Sequence, residues 1–180
     1  MYILIVMIVS IALGFFFLKR LDQRRWQRYQ IDRDLYFRQH PFQIKLNDVF
    51  KIPVAMNKSA QFKLVNDLML KSSEQTILKK AQIQRMPAQS HHQFIIKVVI
   101  HDIIIGYLDK NYAERFCLSL KDTDFFIGRP IETLAEITFV ELKPTMLGCR
   151  VKLDLPTNPK MANSLIVDPQ VQVKSQTAKG

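Results

Sequence analysis

Apolar residues in this chain recur with a period of two along several short stretches and with a helical period along two others. The clearest pair of strands is Phe94 to Ile100 and Ile103 to Leu108, both rich in β-branched residues and separated only by His101-Asp102, the spacing of a tight hairpin. Neither turn residue is glycine. Asp109 follows as a helix N-cap, and Ala113, Phe116, Cys117 and Leu120 then fall on one helical face, which is expected to dock on the hairpin.

The same reading extends in both directions. Upstream, Phe50 to Ala55 reads as a first strand whose Pro53 implies an edge or a bulge. Ser59 is expected to cap a helix from Ala60 to Leu70, with Ala60, Leu64, Val65, Leu68 and Met69 facing inward. A loop at Lys71 to Glu74 leads to a half-exposed strand, Ile77 to Met86. It places Ala81, Ile83, Lys79 and Arg85 on one side and Lys80, Gln82 and Gln84 on the other. Downstream, polar turns at Lys121 to Asp124 and at Gly128-Arg129-Pro130 precede a strand at Thr133 to Leu142. That strand pairs with Cys149 to Leu155 through Lys143-Pro144-Thr145. These elements predict an α+β fold that is mostly β, a small barrel-like domain with two short helices over 42–156. The segment 157–180, rich in Pro, Asn, Ser and Lys around Leu165-Ile166-Val167, reads as a mobile tail.

The segment 1–18 departs from both patterns. It has no charged residue, and as a helix it would be about 27 Å long, close to the thickness of a bilayer's hydrocarbon core. No basic residue precedes the apolar run and no small-x-small site ends it, so an uncleaved transmembrane helix is expected rather than a signal peptide. The segment 19–41 contains neither Gly nor Pro before Pro41 and should continue as a basic juxtamembrane helix. Its Lys19, Arg20, Arg24, Arg25 and Arg28 favour the cytoplasmic side and anionic lipid headgroups, and Trp26 and Tyr29 carry rings suited to the membrane interface. The expected topology is a single-pass protein of the bacterial inner membrane, with its N-terminus outside and its domain in the cytoplasm. Ser10-x-x-x-Gly14 is a small-residue spacing that would suit a homodimer through the span.

Composition adds two restrictions. A chain of 180 residues with 48% hydrophobic residues has room for one core of about 100 residues with appendages. The formal net charge of +10 is concentrated: Lys19 to Arg38 holds seven Lys or Arg against three Asp. Cys117 and Cys149 are too few for a disulfide framework and read as buried hydrophobes in a reducing compartment.

The string Val98, Ile100, Ile105-Gly106-Tyr107-Leu108, Ala113 and Phe116, followed by Leu153-Asp154-Leu155-Pro156, resembles HIRAN-type domains over roughly Lys51 to Pro156. The resemblance implies a small barrel-like β module of a kind that binds DNA in helicase-like remodellers, where a pocket grips a single-strand end. In that family an N-P-x-D-like stretch before the IGYL strand helps to build the pocket. Here Ala88-Gln89-Ser90-His91-His92-Gln93 stands in its place. The G-E-S-H-like string of many bacterial members is likewise replaced by Ala55-Met56-Asn57-Lys58-Ser59.

Chemistry-bearing motifs are absent from the sequence. His40, His91-His92 and His101 lack ligand spacing, Asp122 and Asp124 sit in a turn, and the five glycines form no phosphate loop. No enzyme, cofactor or metal is expected. The expected function is a membrane-anchored, cytoplasm-facing interaction module for a protein or peptide partner. The alternative is a module for single-strand DNA or another nucleic acid, with Lys79, Lys80, Arg85 and Lys97 on phosphates and Phe94 or Tyr107 stacking on bases.

Overall fold

Two units make up the chain, Met1–Gln39 and His40–Gly180. The computed structural model describes residues 2–45, 48–68, 76–86, 94–143 and 146–170, with the side chains at 3–6, 8–13, 142–143 and 146–147 left out. The first unit is one 38-residue helix, α1, Tyr2–Gln39, which ends two residues before Pro41. Its basic part is solvent-exposed, and the rings of Trp26 and Tyr29 stack one turn apart with centroids 5.7 Å from each other.

Among the described residues no helix is long and apolar enough to cross a membrane. The single span expected over 1–18 is therefore not borne out. Most of its apolar side chains, at 3–6 and 8–13, lie outside those described, and the described part of α1 is dominated by the charges from Lys19 to Arg38. Ser10 of the small-residue spacing falls outside them as well.

The second unit is α+β. It comprises β1 (Phe42–Ile44), β2 (Ile52–Pro53), α2 (Lys58–Asp67), β3 (Thr76–Arg85), β4 (Ile96–Ile100), β5 (Ile103–Tyr107) and α3 (Lys110–Ser119). Then come a 3₁₀ turn at Asp124–Ile127, β6 (Ile131–Lys143), β7 (Met146–Leu153), a 3₁₀ turn at Pro159–Met161, α4 (Ala162–Leu165) and β8 (Ile166–Val167). The order β2-β7-β6-β3-β4-β5 forms a sheet that curls into a half-barrel. β1 joins β6 in parallel and β8 joins β1 antiparallel.

Curling brings the two ends of this sheet together at one point. Ala55, just past β2, exchanges two backbone hydrogen bonds with Tyr107 at the end of β5, at 2.9 and 3.0 Å. Gly106 makes this possible, because a Cβ there would strike the carbonyl oxygen of Ala55 and lie 2.9 Å from Val54 Cγ1. Pro53 occupies a strand at the end of the order, where its missing N–H costs no ladder bond. The strand is shorter than the expected 50–55, because the loop before it turns tightly, with positive φ at Asp48 (53°) and Phe50 (39°).

The hairpin forms as expected. His101 and Asp102 have φ of 48° and 62°, the doubly left-handed turn that matches the twist of paired strands. Asp and His adopt this region more readily than most residues. The imidazole Nδ1 of His101 lies 2.8 Å from the carboxylate of Asp67 at the end of α2. Asp109 caps α3, accepting from the N–H groups of Asn111 (2.9 Å) and Tyr112 (3.1 Å).

Several expectations need correction. The cap of α2 is Asn57, whose side-chain oxygen accepts from Ala60 N–H at 2.7 Å, so the helix starts one residue before Ser59. The helix covering β5 and β7 is α2, through Ala60, Leu64 and Val65. α3 buries Ala113, Phe116 and Cys117, and Leu120 just after it, in the same core but packs chiefly on Pro159–Met161 and α4. Phe116 meets Phe125 edge to face at 5.5 Å, an arrangement worth about 0.5–1.5 kcal/mol beyond burial. The stretch from Asn158 to Asp168, read as tail, belongs to the fold: Pro159 and Ala162 are buried and β8 is paired. The loops at 71–74 and 88–93 and the end of the chain, 171–180, lie outside the described residues.

Candidate functional site

Alternation along β3 sorts the expected nucleic-acid residues onto different sides. Lys80 points to the outer face with Leu78, Gln82 and Gln84, whereas Lys79 and Arg85 fall on the side of the buried Ala81 and Ile83. Register then extends the outer face across the sheet. Lys97 on β4 lies opposite Gln84 on one side and opposite Tyr107 on the other. Directly paired residues share a face, so Gln84, Lys97 and Tyr107 form one row. The adjoining row carries Glu132, Gln82, Val99 and Ile104, the last two set by the bulge between Val98 and Val99.

This face mixes apolar and charged groups. Leu78 is 55% exposed, Ile104 47% and Tyr107 43%. Lys80 Nζ donates to Glu132 Oε1 at 2.8 Å, and Lys152 Nζ approaches Glu136 Oε1 at 4.0 Å. The Glu132 carboxylate, by hydrogen bond and charge, raises the pKa of the exposed Lys80 above its usual value. Beside this pair lies a shallow hollow lined by Lys80, Gln82, Val99, His101, Asp102 and Glu132.

Arg85 has a different environment. Its guanidinium lies 4.0 Å from the ring centroid of Phe126 and 5.7 Å from that of Phe94, and Nη1 donates to the Phe126 carbonyl. Nε of Arg85 is buried with no hydrogen-bond partner. The structure thus joins Lys80, Lys97 and Tyr107 on one face, joins Arg85 with Phe94 elsewhere, and leaves Lys79 on the side opposite Lys80. The expected six-residue set is not one surface. On α1, Lys19, Arg20, Arg24, Arg25, Arg28, Trp26 and Tyr29 are all exposed.

Three polar residues with larger structural roles went unread in the sequence. Asp154 of the LDLP string is buried, and its carboxylate accepts from the N–H groups of Asp48 (3.0 Å) and Val49 (3.2 Å). Arg129 is only 2% exposed, and its Nη1 and Nη2 donate to the two oxygens of Asp168 at 2.8 and 3.0 Å. Its Nε donates to the His40 carbonyl at 2.7 Å, and the guanidinium lies 3.9 Å from the Phe42 ring centroid. An arginine between Gly128 and Pro130, beside a helical turn, was the available signal. Its partner is 39 residues away.

Both cysteines, Cys117 and Cys149, are buried. Burial pushes the Cys117 thiol up to about 12, against an opposing effect from Arg85, and the Cys149 thiol up to about 11. No group of three or more His, Cys, Asp or Glu among the described residues could hold a metal ion. Against protein-family models, curated proteins and solved structures, the chain finds no match.

Proposed function

We propose that the second unit is a HIRAN-like interaction module that binds a protein or peptide partner through the outer face of its sheet, around Tyr107, Lys97 and Ile104. The observation that carries this reading is charge pairing. Lys80 and Lys152 on that face already face Glu132 and Glu136, while Leu78, Ile104 and Tyr107 offer apolar area. A surface tracking phosphates needs uncompensated cations in a row, whereas protein interfaces favour aromatic and apolar centres with a polar rim.

We also propose that α1 holds this module at a membrane, with the domain on the cytoplasmic side. Support comes from the uncharged run 1–18, the exposed arginines that follow it, and the stacked Trp26 and Tyr29.

A photo-crosslinking residue placed at Tyr107 or Ile104 in the full chain in cells tests the partner reading, with Leu118 on α3, 50% exposed, as control. Discrete protein adducts at 104 and 107 but not at 118 are expected. Equal adducts at all three positions, or tight binding of a single-stranded oligonucleotide that is lost in Lys97→Glu, would overturn the reading in favour of nonspecific contact or nucleic acid. Membrane attachment is tested separately by flotation of the full chain with vesicles containing anionic lipid.

A further inference from the structure

The last two-residue strand of the fold is placed as a peptide ligand would be. β8 adds antiparallel to the edge of β1, with Gln43 opposite Val167 and Ile44 opposite Ile166, and Lys45 N–H donates to the Leu165 carbonyl at 2.9 Å. The next residue, Asp168, gives both carboxylate oxygens to the buried fork of Arg129. Strand addition supplies backbone affinity, and a bidentate arginine supplies selectivity for a carboxylate at one register position.

We infer that β1 and Arg129 form a peptide-binding edge that residues 165–168 occupy in cis, and that an extended partner segment with two β-branched residues followed by an acidic residue can take their place. This edge is distinct from the outer face around Tyr107, and the inference stands without that reading.

Two features make the occupant exchangeable. Only two residues pair in β8, and although Leu165 and Ile166 touch the core, residues 165–170 all stay partly exposed, so the segment can open without the rest of the sheet. When it leaves, Arg129 does not become an isolated buried charge. Asp124 Oδ2 already lies 3.6 Å from Nη1, the His40 carbonyl accepts from Nε, and the Phe42 ring covers the guanidinium. The receptor edge is thus preformed. Occupation by the chain's own segment keeps it closed, because a tethered strand competes at an effective concentration of about 1 mM or more.

The test uses the full chain and a labelled synthetic peptide, Asn-Ser-Leu-Ile-Val-Asp-Pro, with the sequence of residues 163–169. In Asp168→Lys the internal segment is repelled from Arg129, and the peptide is expected to bind at least about 10-fold more tightly than to the wild type. A peptide with Asn in place of Asp should bind that variant at least about 10-fold more weakly. A folded Asp168→Lys chain that ignores the peptide, or binds both peptides equally, overturns the inference. Hydrogen exchange of the wild type covers the case in which the variant fails to fold. Amides of 166–168 and of Lys45 should exchange at least about 100-fold faster than those of Ile83 and Val98, through a local opening. Exchange of all of them only through global unfolding overturns it.

Discussion

Replacing Gly106 by alanine tests how the half-barrel is held at its ends. The added Cβ would collide with the Ala55 carbonyl oxygen and sit 2.9 Å from Val54 Cγ1 and 3.0 Å from the Ala55 carbonyl carbon. Two of these three atoms are backbone, so no rotamer change relieves the overlap. The segment Val54 to Ala55 must move away from β5, and the hydrogen bonds between Ala55 and Tyr107 at 2.9 and 3.0 Å lengthen or break. Two such bonds contribute about 0.5–1.5 kcal/mol each. With disturbed packing at Val54, the expected loss is roughly 2–4 kcal/mol, which lowers Tm by on the order of 10 °C for a domain of this size.

The control is Gly128→Ala. Gly128 has φ +111°, but the nearest atom to an added Cβ is Gln84 Nε2 at 4.0 Å, so only backbone strain acts and the loss should be about 1–2 kcal/mol. Chemical denaturation of the full chain, with hydrogen exchange at Ala55 and Tyr107, separates the two. Gly106→Ala with stability equal to Gly128→Ala, and with both amides still protected, would refute the close-approach reasoning.

Asp154→Ala removes the acceptor for two loop amides and should cost about 1–3 kcal/mol, with faster exchange at Asp48 and Val49; unchanged exchange there would show that the carboxylate does not hold the loop. The hydrogen bond from Arg129 holds the Asp168 carboxyl below the usual range, so its contribution is complete above the unfolded value near 3.8 and fades as pH falls through the lower folded value. The acid limb of a stability profile should therefore flatten in Asp168→Asn; an identical limb in the two proteins would contradict the pairing. Cys117 and Cys149, buried with raised thiol values, should resist alkylation at pH 8 until the domain unfolds, as followed by mass spectrometry. Rapid labelling of the native chain would show that the thiols are accessible.

Features of this protein governed by neighbouring residues were legible in its sequence. The alternation of Ile96, Val98 and Ile100, the two-residue spacing at His101-Asp102, and the cap at Asp109 each depend on contacts within a few positions. The buried residues Ala60, Leu64 and Val65 of α2 and Ala113, Phe116 and Cys117 of α3 followed from helical period alone, while Met69, also expected inward, lies outside the described residues. The Asn57 cap was missed because Asn and Ser cap almost equally well, and only the backbone shows which residue stays extended, with φ −87° and ψ 165°.

Contacts between distant segments were decided by tertiary structure. Arg129 read as part of a turn because arginine is ordinarily a surface residue. It is buried because β1 pairs beside β6 and β8 beside β1, which brings the His40 carbonyl and the Asp168 carboxylate to the same place. The ending 158–168 read as a tail because its composition is polar and its apolar patch short, yet the strand edge of β1 and the fork of Arg129 give it partners. Lys79 and Lys80 differ by one residue and so lie on opposite sides of β3, and no count of basic residues shows that Glu132 has already taken Lys80. Period and capping act over three or four residues and survive in any context, whereas the enclosure of a charge depends on which remote partner the fold delivers.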